Sequence, residues 1–155
     1  MLKTRVRNAF CCKDKFTAET QRAQRTSTMD TNALSNRIIG TAIEVHKVLG
    51  PGLLESAYEE CLCHELHLQK LSFERQKPLP VQYKSIKLDC GYKLDMAVEE
   101  SIVLELKSCE RIKPIHKAQL LTYLKLTGVN LGLLLNFNSV VMRNGIVRMV
   151  NKLKD

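Results

Sequence analysis

Aromatic residues are scarce, at 5% of 155 positions, and no segment concentrates them as an RNA-binding sheet would. No apolar run approaches the roughly 20 residues that cross a bilayer, and the first residues lack the apolar block of a secretory signal. A cytoplasmic protein with no membrane partner is therefore expected. Cys11, Cys12, Cys61, Cys63, Cys90 and Cys109 form no paired C-x-x-C blocks, so the common structural zinc frameworks are absent and reduced thiols are expected. Cys63 and His67 stand four apart on an expected helix, with Cys61 and His64 nearby, but two ligands on one face do not close a tetrahedron. No helix-turn-helix spacing is recognisable.

What remains is the composition of one globular domain, with 45% hydrophobic and 26% charged residues. The net charge of +8 is unevenly spread: residues 1–28 carry +5 and residues 29–155 only +3. Residues 1–30 lack a sustained apolar period and are read as a flexible basic tail. Arginines with few acids leave a targeting presequence open there, and Met29 is an alternative start. The folded domain is expected over residues 31–155.

The first helix should start at Thr31, Asn32 or Ser35 and bury Leu34, Ile38, Ala42, Val45 and Leu49, ending at Gly50-Pro51-Gly52. A second helix from about Leu53 to Lys70 should bury Leu54, Tyr58, Leu62 and Leu66, with Glu55 in its first turn. Pro78 and Pro80 demote Phe73 to Tyr83 to an edge strand or extended lead-in, while Val81 to Leu88 reads as a short strand closed by a turn at residues 89–91. After the hairpin discussed next, Pro114 should open a third helix that buries Ile115, Ala118, Leu121 and Leu124 and ends at Gly128. The apolar run from Val129 to Phe137 suits a strand covered on both faces and parallel to its neighbour. Asn144-Gly145 reads as a hairpin turn between residues 140–143 and 146–150.

Tyr92 to Lys107 organises the rest. Tyr92, Leu94, Met96 and Val98, then Ile102, Leu104 and Leu106, are apolar at alternate positions about a turn at Glu99, Glu100 and Ser101. Pairing Val98 with Ile102 sets Asp95 opposite Glu105, roughly 5 Å apart, with Lys107 on the same face. Facing carboxylates repel unless a positive group lies between them. One reading is a magnesium site in which Lys107 orients water or stabilises phosphate charge; the other is a solvated polar strand face.

Gly52-Leu53-Leu54-Glu55-Ser56-Ala57-Tyr58 matches the G-x-x-E-x-x-Y signature, and the segments at 39–46, 92–95, 104–107 and 119–125 follow in order. Over about residues 32–151 the chain resembles the small bacterial and archaeal proteins named after that signature. These are grouped in the PD-(D/E)XK nuclease superfamily. The resemblance implies an α/β restriction-endonuclease-like core: two N-terminal helices, a three-stranded antiparallel meander, a helix, a further strand and a C-terminal hairpin.

It also implies that Asp95 and Glu105 hold a divalent metal, Mg2+ or alternatively Mn2+, and that Lys107 assists the water. Glu55 and Gln119 would complete the site, with Glu44 or His46 near it. Leu94 replaces the superfamily's proline, which carries no ligand atom, and Lys93 stands where relatives often have Arg, without that residue's bidentate reach. The expected function is a metal-dependent nuclease acting on DNA or RNA. The alternative is a catalytically silent nucleic-acid-binding or protein-interaction module, with a homodimer left open.

Overall fold

The computed structural model describes residues 30–89 and 91–151, so the expectations for the basic tail, for Cys90 in its turn and for residues 152–155 fall outside the described residues. Helix α1 (Thr31–Leu49) starts under an Asp30 cap, whose carboxylate accepts the Asn32 N–H at 3.1 Å. The cap is thus one residue earlier than the expected Thr31, Asn32 or Ser35, because a helix accepts side-chain capping just before its first turn. Leu34, Ile38, Ala42 and Val45 are buried as expected, whereas Leu49 is partly exposed at the helix end.

Helix α2 (Glu55–Leu68) buries Tyr58, Leu62 and Leu66 completely. Leu54 stands outside the helix as its N-terminal flanking residue and is exposed. The tight connection explains the glycine and tyrosine of the 52–58 segment. Gly52 has φ +104°, a conformation that a side chain disfavours. The Tyr58 hydroxyl donates to the Gly50 carbonyl at 2.6 Å and accepts the Leu53 N–H at 3.1 Å, while its ring stacks on Phe137 at 4.6 Å. Tyr58→Phe keeps the stack but removes two hydrogen bonds to part-buried backbone groups, so a loss of about 1–2 kcal/mol is expected in denaturant unfolding.

Strands β1 (Phe73–Pro78), β4 (Lys93–Val98), β5 (Ile102–Lys107), β6 (Leu131–Asn136) and β7 (Ile146–Val150) form one mixed sheet in that order. Here β2 (Val81–Tyr83) and β3 (Ile86–Leu88) fold on each other as a separate two-stranded sheet. Val81 to Leu88 is therefore not one strand of the meander. Its place is taken by β1, which the prolines hold to the sheet edge, antiparallel to β4.

The hairpin register Val98↔Ile102 and the parallel pairing of β5 with β6 agree with the sequence reading. Helices α1 and α2 cover one sheet face with Met96, Val98, Leu104 and Leu133. Helix α3 (Pro114–Thr127) covers the other with Leu94, Val103 and Leu134. Its buried residues are Leu120, Tyr123 and Leu124, and Ile115 is 67% exposed. The expected Ile115–Ala118–Leu121–Leu124 stripe is rotated because Leu120 enters the space left by Gly132, where a Cβ would meet its side chain at 2.8 Å.

No hairpin forms about Asn144-Gly145. Met142–Gly145 is a short 3-10 turn (η1), and β7 pairs antiparallel with β6 instead. Gly145 is needed for close approach, since a Cβ there would lie 2.2 Å from the Asn136 carbonyl oxygen.

Candidate active site

The alternation along β4 breaks at Asp95. Leu94 joins the α3 side, whereas Met96 and Val98 join the α1–α2 side, so Tyr92 to Val98 do not share one face as strict parity predicts. The paired residues of β1 skip Gln76, whose φ is +47°, at the level of Asp95. A residue in that left-handed region takes the strand out of its pleat.

Two consequences follow. Arg75 and Gln76, which a regular strand would point apart, both reach the Glu59 carboxylate, at 2.8 and 3.1 Å. On the other side the β4–β5 ladder ends at Met96↔Leu104, and the Asp95 carboxylate accepts the Leu106 N–H at 2.8 Å in its place.

The ladder stops one residue short of pairing Asp95 with Glu105, yet the two lie near enough for the Asp95 charge to act on Glu105. Glu105 is only 1% exposed, and its Oε1 accepts Lys107 Nζ at 2.5 Å. Its buried Oε2 has no hydrogen-bond partner. Burial first, and the Asp95 charge second, push the Glu105 carboxyl up to about 7 against the pull of Lys107. Asp95 is also raised, chiefly by burial, with Leu106 N–H and Lys107 opposing. Burial works to lower Lys107, but the Glu105 bond and the charges of Glu105, Glu55 and Asp95 outweigh it and hold the ammonium charged.

Glu55 meets this cluster from the start of α2. Its carboxyl is raised mainly by desolvation, while Lys107 and the Ser108 N–H favour the charged form and Asp95 opposes it. Ser108 also donates through Oγ to the Leu53 carbonyl at 2.6 Å, tying the turn before α2 to the end of β5. From the β6 side, the Asn136 amide brackets Cys109, accepting its N–H at 3.1 Å and donating to its carbonyl at 2.9 Å. The segment that follows Lys107 is thus held from two elements.

Glu59 went unnoticed in the sequence, although it lies one helical turn after Glu55 and its charge acts on both Glu55 and Asp95. The i,i+4 spacing was the available signal. Gln119 and the early helical residues have hydrogen-bond or ion-pair partners of their own. Gln119 donates to the Tyr123 hydroxyl at 2.8 Å and lines a cavity of about 480 Å³ under α3. His46 donates from Nε2 to the Ser139 carbonyl at 2.8 Å, and Glu44 pairs with Lys47 at the surface.

Among the described residues no three His, Cys, Asp or Glu side chains gather as a metal cage, which also removes the Cys63–His67 arrangement. Cys63 is buried and its thiol is pushed up to about 11, away from the thiolate a zinc site needs. Two carboxylates with one orphaned buried oxygen instead fit a hard, largely hydrated cation that uses few protein ligands.

No described helix is long and apolar enough to cross a membrane. No curated protein and no solved structure matches the chain. A family model does, over residues 32–149, which take in both helices of the turn, the β4–β5 hairpin and α3. The α/β fold agrees with that match: the chain belongs to the PD-(D/E)XK nuclease superfamily.

Proposed function

We propose that this protein is a divalent-metal-dependent phosphodiesterase that hydrolyses DNA or RNA, of the G-x-x-E-x-x-Y kind within its superfamily. The observation that carries the reading is the unpartnered buried oxygen of Glu105 beside the Asp95 carboxylate. A buried carboxylate oxygen without a partner is a large cost in a structural role and an asset to a cation site.

Asp95 and Glu105 would hold the ion, Mg2+ in first place and Mn2+ as a substitute. Bound there, it would polarise the scissile phosphate and lower the pKa of an attacking water. Lys107, charged and tethered to Glu105, would offset phosphate charge as the new bond forms. Glu55, whose carboxyl is also raised and feels the Asp95 and Lys107 charges, would accept or return the water's proton. Gln119 contributes from α3 through the substrate's flank, since its amide is already committed to Tyr123.

The test is a cleavage screen on single- and double-stranded DNA and RNA with Mg2+, Mn2+ or chelator. Cleavage is expected only with the ion, and Lys107→Met should lower it by about 10²-fold or more. Cleavage that persists in chelator would refute the reading. So would calorimetry showing no ion binding together with strand binding but no turnover, which would identify a silent binding module.

A further inference from the structure

The cavity under α3 lies on the same sheet face as Glu105. That face is defined by Val103 and Leu134, which pack against α3, and Glu105 pairs with Leu134 in the β5–β6 register. The cavity is walled by Val81, Tyr92, Ile115, Gln119, Thr122 and Leu126, so its surface is mostly apolar. Tyr92 is 53% exposed; its carbonyl accepts the Leu79 N–H at 2.8 Å, which anchors the backbone and leaves the ring at the rim. Tyr83, on the neighbouring β2–β3 hairpin, is 58% exposed, and the Lys84 ammonium lies 5.3 Å from the centre of its ring.

Two lysines flank the cavity: Lys84 beside Tyr83 on the hairpin and Lys125 on α3 are exposed, and neither is in an ion pair among the described residues. Neither the hairpin over residues 81–88 nor α3 carries an acidic residue. An apolar floor with open aromatic rings and unpaired lysines complements a polyanion whose flat apolar surfaces are accessible. A single nucleic-acid strand has that chemistry: its bases stack on aromatic rings while its phosphates meet lysines. A duplex keeps its base faces stacked inside and presents phosphates alone.

We infer that this groove binds unpaired nucleotides next to the scissile phosphate, so that the enzyme's substrate is single-stranded or locally unpaired nucleic acid. The inference rests on the nuclease reading only for which phosphate is cut. Tyr92 precedes Asp95 by three residues, about 10 Å of strand, close enough for adjoining nucleotides of one strand to occupy both places.

Fluorescence anisotropy in chelator, with labelled mixed-sequence DNA and RNA strands, single or annealed to their complements, tests it on the full chain. Single strands are expected to bind about tenfold more tightly than duplex, and Tyr92→Ala should remove about tenfold of single-strand affinity while sparing the duplex. Ile115→Glu, at an exposed position in the same groove, should weaken single strands similarly. Equal affinity for both forms, or single-strand binding indifferent to both substitutions, would overturn the inference. So would a dimer dispersed by Ile115→Glu in protein that binds no strand. Selective strand binding without cleavage under Mg2+ would defeat the nuclease reading alone, and cleavage without strand preference would defeat the groove alone.

Discussion

Glu105→Gln is expected to lower Mg2+-dependent cleavage by roughly 10³-fold, equivalent to about 4 kcal/mol of transition-state stabilisation, while making the metal-free protein more stable. The substitution keeps an acceptor for Lys107 but removes the carboxylate that burial and Asp95 both disfavour. Its folded-state value of about 7 lies above the ordinary 4.5. The folded protein therefore holds the proton more tightly than the unfolded chain, so the favourable contribution is complete below about pH 4.5 and declines as pH rises through 7.

Asp95 and Glu55 are shifted in the same direction and add to that slope. In chelator, thermal unfolding of the wild type should thus show stability falling from pH 5 to 7.5, and Glu105→Gln should flatten the profile. At pH 7.5 the variant should gain about 1–2 kcal/mol, a few degrees in Tm. Mg2+ should raise the wild-type Tm and leave the variant nearly unchanged. A wild-type profile identical to the variant's would show that burial does not penalise the Glu105 charge.

Gly145→Ala should destabilise the fold by about 3 kcal/mol, or roughly 10 °C in Tm. The added Cβ would lie 2.2 Å from the Asn136 carbonyl oxygen and 2.5 Å from Ser139 Oγ, and the first of these is backbone that cannot rotate away. Asn136 also brackets Cys109 and pairs in register with Lys107. The strain is therefore delivered to the segment that aims the lysine, and cleavage should drop in protein that remains folded at low temperature. A variant that unfolds with wild-type Tm would exclude the close approach.

Short-range patterns were readable wherever one physical cause dominates the local sequence. Tyr58, Leu62 and Leu66 are spaced to bury one helical stripe, and Leu131 to Leu135 are apolar throughout because β6 is covered on both faces. The Val98↔Ile102 register of the β4–β5 hairpin, which brings the strand carrying Asp95 beside the one carrying Glu105, was readable too. The readings that failed were those in which a residue's cause is not local. Gly145 resembles a turn glycine but is small for the sake of Asn136, and the α3 stripe is turned by the space beside Gly132. Glu59 could be placed one turn after Glu55 by its spacing, but its bonds to Arg75 and Gln76 could not be foreseen, because the two converge on it only after β1 leaves its pleat at Gln76.

The sequence by itself determined the three helices, the β4–β5 hairpin and β6, and the order of the acidic and basic side chains on them, since periodicity and turn chemistry act over a few residues. Only the tertiary structure decided that Glu105 keeps one buried oxygen without a partner, that Glu55 and Lys107 share its surroundings, and that Gln119 opens onto an apolar groove. Burial and desolvation depend on what every other segment covers, and no local pattern contains that information.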